Sequence, residues 1–152
     1  MARKIIIASD HGGLRLKRVL VEALKGWGLE VEDLGPDCEE SCDYPPFARK
    51  VTDRIVGTDP AEVLGILICG SGIGMCMTAN HVPGIRAAMA TNEYMARKSR
   101  EHNDANILCL GERVTGEDVA LDMVKIFIET TFEGGRHLRR VKLIEGDETQ
   151  TK

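Results

Sequence analysis

Short apolar runs alternate with amphipathic stretches along this chain. Three isoleucines between Lys4 and Ser9, followed by Asp-His-Gly-Gly, predict a short strand buried on both faces. Leu14, Leu16, Val19, Leu20, Leu24 and Trp27 then recur at helical spacing until Gly26-Trp27-Gly28 stops the helix. A weaker strand is expected over 30–34 with Val31 inward, and a helix over 47–56 follows a polar loop carrying Asp43-Tyr44-Pro45-Pro46. The clearest buried strand spans 63–69, succeeded by Gly70-Ser71-Gly72-Ile73-Gly74 and a helix through Asn80. Further strands are expected over 85–90 and 105–110, with a polar helix over 92–101 between them. The last long helix is expected over 115–131, capped by Thr115 with Asp118 three residues on. Gly134-Gly135 separates it from a basic segment over 136–142.

Five strands interleaved with helices predict a three-layer α/β/α, Rossmann-like single domain around a five-stranded parallel sheet. The length, 152 residues, suits one domain with a substantial core. Residues 1–144 are expected to form it, leaving 145–152 as a polar C-terminal tail. The net charge of −4 and only six aromatic residues argue against a nucleic-acid partner. No apolar run approaches the ~20 residues that span a bilayer, and no secretory signal opens the chain. No membrane partner and a cytoplasmic location are therefore expected. Five cysteines at irregular spacing read as reduced thiols, and nothing completes Cys38 and Cys42 into a metal site.

Ligand sites in such folds lie beyond the carboxyl ends of the strands, and four clusters are assigned there. In the first, Ser9-Asp10-His11-Gly12-Gly13, Asp10 and His11 could pair, His11 could face an anion, or Asp10 could simply cap a helix. The second is the glycine loop after Cys69, where convergent backbone amides suit a small oxyanion. It matches neither the dinucleotide fingerprint nor the P-loop. Cys69 sits where such a loop and a helix start favour a thiolate, although a buried strand cysteine is the commoner case. The third cluster, His102-Asn103-Asp104, offers a general acid or base, or only a solvated helix end. In the fourth, Arg136 and Arg140 fall on one helical face and suit a phosphate, or form a solvated basic surface. Together these groups suit proton transfer α to a carbonyl on a small phosphorylated substrate.

The residues resemble the type B ribose-5-phosphate isomerase family, which includes galactose-6-phosphate isomerase subunits. The matching segments are Ser9-Asp-His-Gly12, Asp43-Tyr-Pro45, Ile68-Cys-Gly-Ser-Gly-Ile-Gly74, Ala79-Asn80, Gly84-Ile-Arg86, Ser99-Arg-Glu-His-Asn-Asp104, Gly111-Glu-Arg113 and Glu133-Gly-Gly-Arg-His137 with Arg140. The resemblance implies an aldose–ketose isomerase of the pentose phosphate pathway, interconverting ribose 5-phosphate and ribulose 5-phosphate without cofactor or metal. It implies that Cys69 moves the proton between C1 and C2, that amides of Gly70, Ser71, Gly72, Ile73 and Gly74 stabilise the enediolate, and that Ser71 positions the reacting oxygens. His102 would open the sugar ring with help from Asp10. His11, Arg136 and Arg140 would bind the phosphate, while Tyr44, Asn103 and Arg113 complete the pocket.

The resemblance further implies a homodimer or dimer of dimers with each pocket shared, His102, Asn103 and Arg113 coming from the neighbouring chain. Ser71 replaces the threonine of many relatives. Met75 stands where one sub-branch carries a glutamate base, which places this chain among the cysteine-base members. A hexose-6-phosphate isomerase is the alternative enzyme reading. A non-catalytic phosphosugar-binding protein ranks below both, because it could dispense with Cys69 and His102.

Overall fold

The computed structural model describes residues 3–150. Five parallel strands form one sheet in the order β2-β1-β3-β5-β4: β1 Lys4–Ser9, β2 Glu30–Asp33, β3 Val63–Cys69, β4 Ala87–Met89 and β5 Ile107–Gly111. Six helices connect and cover them: α1 Leu14–Gly26, α2 Tyr44–Ile55, α3 Ile73–Ala79, α4 Glu93–Glu101, α5 Glu117–Glu129 and α6 Arg136–Ile144. A 3-10 turn at Glu148–Gln150 follows α6. Residues 1–2 and 151–152, including the last two of the expected tail, lie outside the described residues.

Strand side chains alternate between faces, so each strand feeds two cores. On one face Ile5, Ile7, Leu64, Ile66, Ile68, Leu108 and Leu110 pack with Leu20 and Leu24 of α1 and with Met123, Val124 and Phe127 of α5. On the other, Ile6, Ala8, Leu67, Cys69, Ile107 and Cys109 meet Val51 and Ile55 of α2 and Met75 and Ala79 of α3. Each fully buried Ile or Leu contributes roughly 1.5–3 kcal/mol. This burial on both faces explains why the strands read as unbroken apolar runs.

Four of the departures from the sequence expectation have a visible local cause. Helix α2 begins at Tyr44, because Pro45 and Pro46 occupy its first turn, where a missing N–H costs nothing. Strand β4 pairs only over Ala87–Met89. Before it, the Arg86 amide donates to the Asn106 side chain at 2.8 Å in place of a ladder bond. Strand β5 correspondingly starts at Ile107, two residues later than expected. Thr115 does not cap α5. The amides of Val114 and Thr115 turn back onto the Gly111 carbonyl, Gly116 becomes the N-cap, and the Thr115 hydroxyl is buried without a partner.

The chain leaves β1 first towards β2 and then returns to the other side of β1 with β3. The reversal opens a crevice at the carboxyl ends of β1 and β3, the place where open parallel sheets take their ligands.

Candidate active site

Two expected clusters meet in that crevice. The loop after β1 is tied to β3 by the Asp10 amide, which donates to the Ile68 carbonyl at 3.1 Å. Asp10 is buried and its Oδ1 accepts the Gly13 amide at 3.1 Å, so it caps the short turn His11–Gly13. A side chain at Gly12 would stand 3.2 Å from that carboxylate and 3.4 Å from the Gly70 nitrogen, which measures how closely the two loops approach. His11 is exposed, and its Nδ1 accepts the Cys42 amide at 3.2 Å. That bond assigns the ring proton to Nε2 and leaves it free to donate outward. Cys42 was given no role from the sequence. Only the folded loop brings it to His11.

Cys69 closes β3, 5% exposed, and its Sγ accepts the Gly72 amide at 3.1 Å. This amide can point at the sulfur because Gly72 has φ +82°, a left-handed conformation that a side chain disfavours. An N–H aimed at sulfur stabilises a thiolate more than a thiol. The Ser71 hydroxyl accepts the Ile73 amide at 3.2 Å and keeps its own proton to donate. The half-exposed ring of Tyr44 lies over Gly74, where an added Cβ would sit 2.5 Å from it. Arg113 Nη1 comes within 3.4 Å of the Cβ position of Gly70 in the same chain. Arg113 therefore belongs with Cys69, contrary to the expectation that a neighbouring chain supplies it. It follows β5 directly, and β5 lies beside β3.

The third and fourth clusters are not at the carboxyl ends. His102 is the C-cap of α4, and it precedes β5 instead of following a strand. Register pairs Ile107 with Gly65 and Gly111 with Cys69. At about 3.3 Å per residue, Ile107 is already about 13 Å from Cys69 along the sheet, and His102 lies beyond it. Helix α6 packs at this same amino end. The Glu133 amide donates to the Glu101 carbonyl at 3.1 Å, and the His137 ring stacks on His102 with centroids 4.1 Å apart.

His137 is buried, its Nε2 3.3 Å from the Glu133 carboxylate. Burial lowers its pKa from the ordinary imidazole value, and the charges of His102, Arg136 and Arg140 press in the same direction. Arg136 and Arg140, both exposed, are thereby grouped with the two imidazoles. His137 was quoted as part of a motif but given no role. Its signal was the pair His137 and Val141, the buried i, i+4 face of α6.

Asn103 is exposed beside His102, and the turn is fixed by Asp104, whose φ is +47°. Arg100 Nη1 donates to one Asp104 oxygen at 2.8 Å and Arg86 Nη2 to the other at 3.3 Å. A cleft of about 420 Å³ lined by Asn80, Pro83, Arg86, Asn103 and Glu145 borders this end of the sheet. Donor atoms of His102, Glu133 and His137 lie within 4.8 Å of one another, the one grouping among the described residues that could hold a metal. The stacked rings hold their in-plane lone pairs in two nearly parallel planes, so the two imidazoles do not converge on one ion as arranged.

A single chain thus carries two half-sites. One, with Asp10, His11, Tyr44, Cys69, the glycine loop and Arg113, has the thiol and the amides. The other, with His102, Asn103, Arg136 and Arg140, has the imidazole and the anion-binding charge.

The model of the Ribose/Galactose Isomerase family matches residues 5–144. The chain belongs to the ribose/galactose isomerase family. Ribose-5-phosphate isomerase B of Escherichia coli is 41% identical over 142 residues, covering 93% of this chain and 94% of that protein. The ribose-5-phosphate isomerase B structure from Clostridium thermocellum superposes with a TM-score of 0.90 at 53% identity, over 97% of this chain and 98% of that one. The Mycoplasma genitalium structure with bound ribulose-5-phosphate gives 0.91 at 44% identity, over 99% of both chains. The similarity to these family members extends over both half-sites. No helix among the described residues is long and apolar enough to cross a membrane.

Proposed function

We propose that this protein is a ribose-5-phosphate isomerase, moving a proton between C2 of ribose 5-phosphate and C1 of ribulose 5-phosphate through an enediolate. The observation that carries the reading is Cys69 with the Gly72 amide on its sulfur, at the mouth of a loop rich in further amides. The thiolate takes the proton from C2 and returns it to C1. Negative charge developing on the enediolate oxygens is met by the amides of Gly70 to Gly74 and by the Ser71 hydroxyl.

Ring opening needs an acid and a base placed on the furanose oxygens, the roles assigned to His102 and Asp10. The phosphate is held by the free Nε2 of His11 together with Arg136 and Arg140. Tyr44, Asn103 and Arg113 shape the remaining wall. The opposite placement of the half-sites supports a homodimer in which the carboxyl end of one sheet faces the amino end of its mate. Each pocket then takes Cys69 and Arg113 from one chain and His102, Asn103, Arg136 and Arg140 from the other.

The test is interconversion of ribose 5-phosphate and ribulose 5-phosphate by purified protein in the presence of a chelator. Cys69→Ala is expected to lower kcat by ~10³-fold or more, within the range for loss of a positioned base. Near-normal turnover in that variant would overturn the assignment of the base.

A further inference from the structure

Half-buried His102 stands at the C-cap of α4, where its amide donates to the Lys98 carbonyl at 2.9 Å. That bond holds the backbone and leaves the side-chain torsions to be set by something else. Among the described residues no hydrogen bond or salt bridge reaches the His102 ring. What meets it is the His137 ring, 4.1 Å away between centroids and tilted by only 10°.

His137 is itself locked. It is 5% exposed, its amide donates to the Gly134 carbonyl at 3.0 Å, and its Nε2 lies 3.3 Å from the Glu133 carboxylate. Gly134 and Gly135 take φ of +65° and +54°, a turn that side chains disfavour. The Glu133 amide clamps the start of this turn to the Glu101 carbonyl, one residue before His102. The stack therefore joins a fixed ring to one that is otherwise free to rotate.

We propose that His137 is a positioning residue for ring opening, its flat face holding the His102 imidazole in the rotamer that reaches the furanose oxygens. The inference rests on the ring-opening role assigned to His102 above. His137 acts through His102, and both belong to one chain, so the pair enters a shared pocket as a unit. Loss of the platform returns rotamer freedom to a group whose efficiency depends on placement to within about an ångström. A neutral platform suits the task. When His102 carries the proton of an acid catalyst, its imidazolium lies on an uncharged ring, whereas a second imidazolium would repel it. Burial favours neutral His137, and the charges of His102, Arg136 and Arg140 act in the same direction, against that of Glu133.

The two halves of the reaction separate experimentally. Ribulose 5-phosphate is acyclic, because its 5-oxygen carries the phosphate and cannot close onto C2. Exchange of its C1 proton for deuterium in heavy water, read by proton NMR, thus needs the thiolate and the amides but no ring opening. Ribose 5-phosphate is a furanose and needs both. His137→Gln removes the ring with little change of volume. It is expected to lower kcat for ribose 5-phosphate by ~10²-fold, while C1 exchange and KM stay close to wild type. His137→Phe restores a flat ring without the nitrogens and is expected to regain most of that kcat.

Unchanged kcat in His137→Gln, or no recovery in His137→Phe, would overturn the proposal. Equal loss of exchange and isomerisation would overturn it as well, marking a ring that only holds the fold. So would a raised KM with intact kcat, marking a ring that only seats Arg136 and Arg140. The underlying reading fails separately: wild-type protein without C1 exchange would refute the isomerase assignment, and His102→Asn with unimpaired kcat for ribose 5-phosphate would refute the ring-opening role.

Discussion

The tightest approach of backbone to a glycine at the crevice is at Gly111, the last residue of β5. A Cβ there would lie 2.6 Å from the Ser71 carbonyl carbon and oxygen, inside any real contact distance. The atoms in the way are backbone, so they yield only if the glycine loop itself moves. Gly111→Ala is expected to cost about 1–3 kcal/mol of overpacking and to displace the loop amides proposed to meet the enediolate. Its signature would be a ~10²-fold loss of kcat in a protein whose circular dichroism stays native. Unchanged kcat would show that the loop position is not critical.

Among the elements, the junction of α4 with β5 is braced by ion pairs on both sides of Asp104. Asp104 holds a left-handed backbone while its carboxylate joins Arg86 and Arg100, the latter only 2% exposed. Asp104→Ala strands a buried guanidinium and strains the turn, a loss of about 3–5 kcal/mol. Asp104→Asn keeps both the backbone preference and an acceptor, so about 1 kcal/mol is expected. Urea denaturation of the two variants measures the difference. Since this turn carries His102 and Asn103, the alanine variant is also expected to lose activity before it unfolds.

Helix α6 docks on the same junction through His137, which gives the molecule a pH dependence of definite sign. The native state lowers the His137 pKa below the ordinary 6.5, so the unfolded chain binds that proton more strongly. Stability from this group is complete above the ordinary value and falls as pH drops below it. The lowered carboxylates of Glu32 and Glu101 act only below the ordinary carboxylate value of 4.5. The Cys76 thiol, lowered to about 7, adds a slope of the same sign at the upper end of the neutral range, which His137 substitution leaves in place. Thermal melts from pH 7.5 to 5.5 should therefore show a declining Tm whose slope is reduced in His137→Gln. An equal slope in both proteins would remove His137 as the cause.

At the scale of the whole molecule, the separation of the half-sites makes complementation the decisive measurement. In a homodimer with shared pockets, Cys69→Ala and His102→Ala chains are each inactive alone. Mixed in equal amounts under exchanging conditions, half the dimers are hybrid, and each hybrid has one intact pocket. Activity is then expected to recover to about a quarter of the wild-type value. No recovery in verified hybrids would place Cys69 and His102 in a pocket built from one chain.

The local pattern of residues determined the strands, the covering helices and the loops after β1 and β3. Period, glycine placement and strand ends are properties of short segments, and each writes itself into consecutive residues. The prolines of α2 and the Asn106 side chain that replaces a β4 ladder bond shifted boundaries because side chains, not hydrophobic period, settle where an element stops. The placement of the candidate residues was legible where they directly follow strands, as Asp10, Cys69 and Ser71 do.

His102 was assigned to the wrong end, although its place before a parallel strand already put it opposite Cys69. What only the tertiary structure decided was contact between distant segments: Arg113 over Gly70, Cys42 on His11, and α6 stacked against the end of α4. No local periodicity encodes such contacts. They arise when the sheet fixes the direction of every strand at once, which also sets the candidate residues of this chain at its two ends.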